Sequence, residues 1–102
     1  MRLRPRVDRN QAEIVDALRR VGCSVQSLAA VGSGCPDLLV GRGGVNYLFE
    51  VKDEDKAPSA RVLTRDQREW HACWNGWAFV VGTAAEALEI VVLGKRATVR
   101  RA

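Results

Sequence analysis

Pro36-Asp37-Leu38-Leu39-Val40-Gly41-Arg42, then Gly43-Gly44, then Val45-Asn46-Tyr47-Leu48-Phe49-Glu50-Val51-Lys52 is the stretch that decides the fold. Two apolar runs flank Arg42-Gly43-Gly44, and so short a glycine turn implies an antiparallel hairpin with strands at 37–41 and 45–52. Proline cannot donate to a strand ladder, so Pro36-Asp37 suits the entry of the first strand. Side chains alternate across a strand, which sets Val45, Tyr47, Phe49 and Val51 on a core face and Glu50 with Lys52 on the other.

Outward from the hairpin the pattern alternates in type. Residues 8–21 read as a helix, with Asp8 or Asn10 as cap, Ile14, Val15, Leu18 and Val21 on one stripe, and Gly22 at its end. Val25–Val31 reads as a strand, followed by a tight Gly32-Ser33-Gly34 loop. Residues 53–62 are polar, contain Pro58 and read as a loop. A second helix spans Thr64 to about Trp74, a buried strand spans Trp77–Val81, and Thr83 caps a helix to about Val91. The last strand follows a helical crossover and is expected to pair in parallel with an earlier one. The expected fold is α/β: a mixed sheet flanked by helices, in the order α-β-β-β-α-β-α.

The 102 residues suit one domain with a core that needs no staples. Apolar residues make up 47% and charged residues 27%, as in ordinary globular chains. No stretch approaches the roughly 20 apolar residues of a membrane span, so no membrane association is expected. The arginine-rich start lacks the apolar segment of a signal peptide. Cys23, Cys35 and Cys73 have unrelated spacings, favouring reduced thiols and a cytoplasmic setting.

The net charge of +4 is unevenly spread. Residues 1–10 carry four arginines against Asp8, and residues 95–102 carry four basic residues and no acid, while the body between has eight bases against eleven acids. Short basic ends around an acidic middle suit tails that grip phosphate, with Arg2, Arg4, Arg6, Arg100 and Arg101 as candidate DNA contacts; solvated tails are the alternative. Ser33 in the glycine loop and Arg42 in the hairpin turn complete that set of candidates.

Asp37, Glu50 and Lys52 carry the chemistry. Two carboxylates and an ammonium converging on neighbouring strands make a candidate Mg²⁺ site with a cationic helper, the apparatus for hydrolysing a phosphodiester. The bland alternatives are a turn aspartate and an exposed cross-strand ion pair. His71, mid-helix between two apolar neighbours, reads as a partly buried or surface histidine before it reads as a general base. Trp70 and Trp74, four apart, read as core, with base stacking as the alternative. His71 and the cysteines lack the paired spacing of a zinc site.

The chain resembles the PD-(D/E)xK nucleases, and within them the small stand-alone VRR-NUC proteins, relatives of Holliday junction resolvases. The matching residues are Asn10-Gln11-Ala12-Glu13-Ile14-Val15, Gly32-Ser33-Gly34-Cys35-Pro36-Asp37, Phe49-Glu50-Val51-Lys52 and Leu63-Thr64-x-x-Gln67. The resemblance implies a restriction-endonuclease-like αβββαβ core. Asp37 and Glu50 would bind Mg²⁺ or Mn²⁺, with the Val51 carbonyl as a further ligand and Glu13 as an extra acid from the first helix. A solvated helix residue is the alternative reading of Glu13. Lys52 would orient water or stabilise charge. Gln67 has two readings, near the active site by resemblance or reaching back to the Thr64 amide in a capping box, with one side chain expected to serve one role at a time. The function implied is a metal-dependent DNA endonuclease acting on branched or Holliday junction DNA, as a homodimer because symmetric cleavage needs two sites. A catalytically weak DNA-binding module of the same fold is the alternative.

Overall fold

The computed structural model describes residues 9–53 and 55–94. The hairpin is as expected: β2 (Leu38–Arg42) and β3 (Val45–Val51) pair antiparallel, with Arg42 opposite Val45 and Leu38 opposite Phe49. Gly43 and Gly44 turn the chain at φ 58° and 83°, the left-handed conformation a two-residue hairpin loop demands. β1 (Ser24–Ser27) joins β2 on its outer side, antiparallel. β4 (Ala78–Val81) lies beside β3 in parallel, so the mixed sheet runs β1-β2-β3-β4.

Helix α1 (Arg9–Arg20) buries Ile14 and Leu18, and α4 (Ala84–Leu93) buries Ala87, Ile90 and Val91. These two helices pack together on the sheet face that carries Leu38, Val40, Tyr47, Phe49, Val51, Phe79 and Val81. The rings of Phe49 and Phe79 meet edge to face with centroids 6.1 Å apart. Thr83 caps α4 by accepting the Glu86 amide at 3.1 Å.

The remaining helices run between β3 and β4. Residues 53–62, expected as a loop, contain the one-turn helix α2 (Pro58–Arg61), because Pro58 at its start has φ already set for a helix and no amide left to satisfy. Helix α3 (Arg65–Cys73) stands over the other face of the sheet, opposite α1 and α4.

Four other expectations change. β1 ends at Ser27, where the Ser27 hydroxyl accepts the Ala29 amide and starts a turn that takes the chain out of the ladder. Asn10 does not cap α1; its side chain donates across to the Lys52 and Gly82 carbonyls at 3.2 and 3.4 Å. Val45, assigned to the core, sits at the hairpin turn and is 38% exposed. Trp74 is no core residue either: it closes α3 and is 45% exposed. No described helix is long and apolar enough to cross a membrane.

Candidate active site

The site lies where β2 begins and β3 ends. Continuing the β2–β3 register one step beyond Leu38 and Phe49 sets Asp37 opposite Glu50, on the face away from the α1–α4 core. The β2–β3 ladder begins only at Leu38. The Asp37 carboxylate therefore substitutes for a strand carbonyl, with Oδ2 accepting the Val51 amide at 2.7 Å. The Asp37 backbone carbonyl accepts from Leu28, which ties the entry of β2 to the end of β1.

Glu50 is 2% exposed, an unusual state for a carboxylate. Burial, then the neighbouring Asp37 charge, pushes its pKa up to about 8, against which Lys52 pulls only in part. Its Oε2 accepts from Gln67 Nε2 at 3.0 Å and faces Lys52 Nζ at 3.7 Å, while Oε1 is buried with no hydrogen-bond partner among the described residues. Burial, then Glu50 and Asp37, also raises the pKa of Cys35, which keeps it a thiol at neutral pH.

Gln67 joins these groups. Its Oε1 accepts from Lys52 Nζ at 2.9 Å and from the Thr64 amide at 2.9 Å, while its Nε2 donates to Glu50. Thr64 Oγ1 accepts the Gln67 amide at 3.2 Å and completes the capping box. The expectation that Gln67 serves one role at a time is therefore corrected. An amide oxygen has two lone pairs and the amide nitrogen two hydrogens, enough for the cap, the lysine and the carboxylate together.

The glycine loop seats this helix. At Gly34 (φ 82°) a Cβ would stand 2.3 Å from the Asp66 carbonyl oxygen and 2.9 Å from the Gln67 amide. Only a glycine lets the first turn of α3 come this close, and so lets Gln67 reach across to β3. Ser33 is exposed beside it with φ 56°, a left-handed conformation costly for a residue with a side chain.

The structure thus brings together Asp37, Glu50, Val51, Lys52 and Gln67. Glu13 is exposed on α1 and is not among them, and no group of three or more His, Cys, Asp or Glu side chains among the described residues is placed to hold a metal. Arg42 lies at the opposite end of the hairpin, where its guanidinium donates to the Val21 and Val91 carbonyls and ties down the end of α4 and the exit of α1. Arg2, Arg4, Arg6, Arg100 and Arg101 fall outside the described residues. Sequence reasoning named the Thr64–Gln67 capping box but missed Asn10 and Gly34 as supports of the site. The Thr64-x-x-Gln67 spacing was the one available signal, since the other two supports depend on approaches between distant segments.

Asp37 and Glu50 are the residues that would hold a hard divalent cation. Mg²⁺ is commonly bound by one or two carboxylates and completes its shell with waters and substrate phosphate. Asp37 and Glu50, crowded together and repelling, with one buried oxygen unpartnered, are such a donor set.

A solved structure described as a VRR-NUC domain superposes on this chain with a TM-score of 0.57 at 28% identity, covering 81% of this chain and 90% of that one. The chain is similar to a VRR-NUC domain in fold and in sequence. No family model matches the sequence, and no curated protein matches it. The likeness supports a domain of nuclease type.

Proposed function

We propose that this VRR-NUC-like domain is a Mg²⁺- or Mn²⁺-dependent deoxyribonuclease that hydrolyses phosphodiester bonds in branched DNA, such as a Holliday junction, and works as a homodimer. The observation that carries the reading is the division of labour on Glu50: Oε2 is braced by Gln67 and faces Lys52, and Oε1 is left open beside Asp37.

Asp37, Glu50 and the Val51 carbonyl would hold the cation. When bound, such a cation supplies polarisation of the scissile phosphate and acidification of water. Asp37 contributes a carboxylate whose orientation is fixed by the Val51 amide. Lys52 contributes a cation aimed by Gln67, so charge building on the phosphate oxygens meets an ammonium that needs no reorganisation. Gln67 bonds to both Glu50 and Lys52, which themselves pair at 3.7 Å, and so fixes the ammonium beside the carboxyl group. Asn10 holds the Lys52 and Gly82 carbonyls, fixing the strand exit from which Lys52 projects. Arg2, Arg4, Arg6, Arg100 and Arg101, with Ser33 beside the site, would contact DNA, and two sites in a twofold dimer would cut a junction symmetrically.

The test is a panel of labelled hairpin, flap, splayed and four-way DNAs with Mg²⁺ or Mn²⁺. Wild type should cleave branched forms, and Asp37→Asn and Glu50→Gln should be inactive. Cleavage by both variants at saturating Mg²⁺ contradicts the proposal. A monomer by light scattering, with and without DNA, contradicts the dimeric form.

A further inference from the structure

Helix α3 carries more than Gln67. Trp70 and Trp74 follow Gln67 by three and seven residues, so the three side chains form one stripe along the helix. Gln67 stands at the active-site end. At about 1.5 Å of rise per residue, Trp74 begins roughly 10 Å farther along the same line.

The two indoles are stacked, with centroids 4.6 Å apart and planes 14° from parallel. A Cβ at Gly76 would stand 3.0 Å from Nε1 of Trp74, so the ring's edge is also held. Trp74 nevertheless remains 45% exposed. Trp70 covers one face of the ring, which leaves the other face as the surface a flat partner would meet.

We propose that the open face of Trp74 is a stacking platform for an unpaired nucleobase of the substrate strand, an inference that rests on reading Asp37 and Glu50 as the cleavage site. Two observations choose this occupant. The stripe is continuous with the site, so a strand whose phosphate lies at Glu50 passes its flanking nucleotides along α3. The large exposed apolar side chain at α3 is a single ring, Trp74, beside exposed Arg65, Asp66, Arg68, Glu69, Ala72 and Cys73, far below the contiguous patch a protein partner needs.

The base must be unpaired, because a base within a duplex has both faces covered by its neighbours. An immobilised indole meets an unstacked base at little ordering cost and does so for any base, since every base has a π-face. Trp77 supplies a control. It is also 45% exposed, but it stacks on Phe79, whose side chain lies on the opposite face of the sheet.

The experiment uses fluorescein-labelled dodecathymidine and a blunt duplex of the same length, titrated by anisotropy with chelator present so that nothing is cut. Trp74→Ala and Trp74→Leu should each weaken single-strand binding by about 5- to 100-fold, with the salt slope unchanged because no phosphate contact is lost. Trp74→Phe should retain most of the affinity. Trp77→Phe should bind like wild type, and duplex affinity should be the same in all of them. The leucine variant keeps apolar bulk on α3 and so guards against a folding defect in the alanine variant.

Unchanged single-strand affinity in Trp74→Leu overturns the proposal. So does an equal loss for duplex and single strand, or a changed oligomeric state, which would make a second copy the occupant of Trp74. Absence of cleavage by wild type with Mg²⁺, with the binding pattern intact, would instead contradict the nuclease reading and leave the platform standing.

Discussion

The two faces of β3 were built to opposite rules. Tyr47, Phe49 and Val51 point into the α1–α4 side, where every neighbour is apolar and burial is nearly complete. Glu50 and Lys52 point to the α3 side, where a buried carboxylate, its acidic neighbour and an ammonium share one glutamine. The first face stabilises the domain; the second buries a carboxyl group whose ionisation costs stability. A single strand can do both because its side chains alternate, so stability and chemistry are one residue apart and nearly independent.

The comparison breaks most sharply with adjacent substitutions. Phe49→Ala should cost about 3–5 kcal/mol, since it empties a fully buried ring position. Glu50→Gln should do the reverse in chelator at pH 8. In the folded protein Glu50 holds its proton up to about pH 8, whereas in the unfolded chain it loses it near 4.5. Between those values the folded state binds more protons, so metal-free wild type should lose stability as pH rises, by on the order of a few kcal/mol in all. Glu50→Gln should lack that loss. Urea midpoints at pH 5 and pH 8 check both, and a wild type no less stable at pH 8 than Glu50→Gln contradicts the contrast.

Lys52→Ala comes next. Its single-turnover cleavage rate should fall by about 10²–10³-fold with DNA affinity nearly unchanged, as for a group that acts on the transition state. A weaker, less salt-dependent complex with a normal rate would make Lys52 an ordinary phosphate contact instead.

The smallest effects test how the α3 side is supported. Thr64→Ala should cost about 1 kcal/mol in stability through the lost cap, and Thr64→Ser should restore it. Gly34→Ala should shift the first turn of α3 and lower cleavage by loosening Gln67, because the added methyl meets the Asp66 carbonyl. Thermal melts and rates read together separate the two; full activity in Gly34→Ala would show that the close approach does not position Gln67.

Much of this was legible before any coordinates. The hairpin announced itself through Gly43-Gly44 between two apolar runs, and period-two alternation placed Glu50 and Lys52 together because both lie on one short strand. Asp37 followed from the register of the same hairpin. What escaped were relations that no local pattern encodes. Gln67 reaches Glu50 only because Gly34 admits α3 closely, and Arg42 turns to the Val21 and Val91 carbonyls through an approach of distant segments. The turn after Ser27 and the single turn at Pro58 escaped for another reason: a few residues carry too little periodicity to overrule their neighbours.

The central claim is that Asp37 and Glu50 form one divalent-cation site on the polar face of β3. Calorimetric titration of Mn²⁺ into metal-free protein at neutral pH tests it most directly. The account predicts saturable binding by wild type, its loss in Asp37→Asn and in Glu50→Gln, and its retention in Glu13→Gln. Binding by Glu50→Gln as tight as wild type would contradict it.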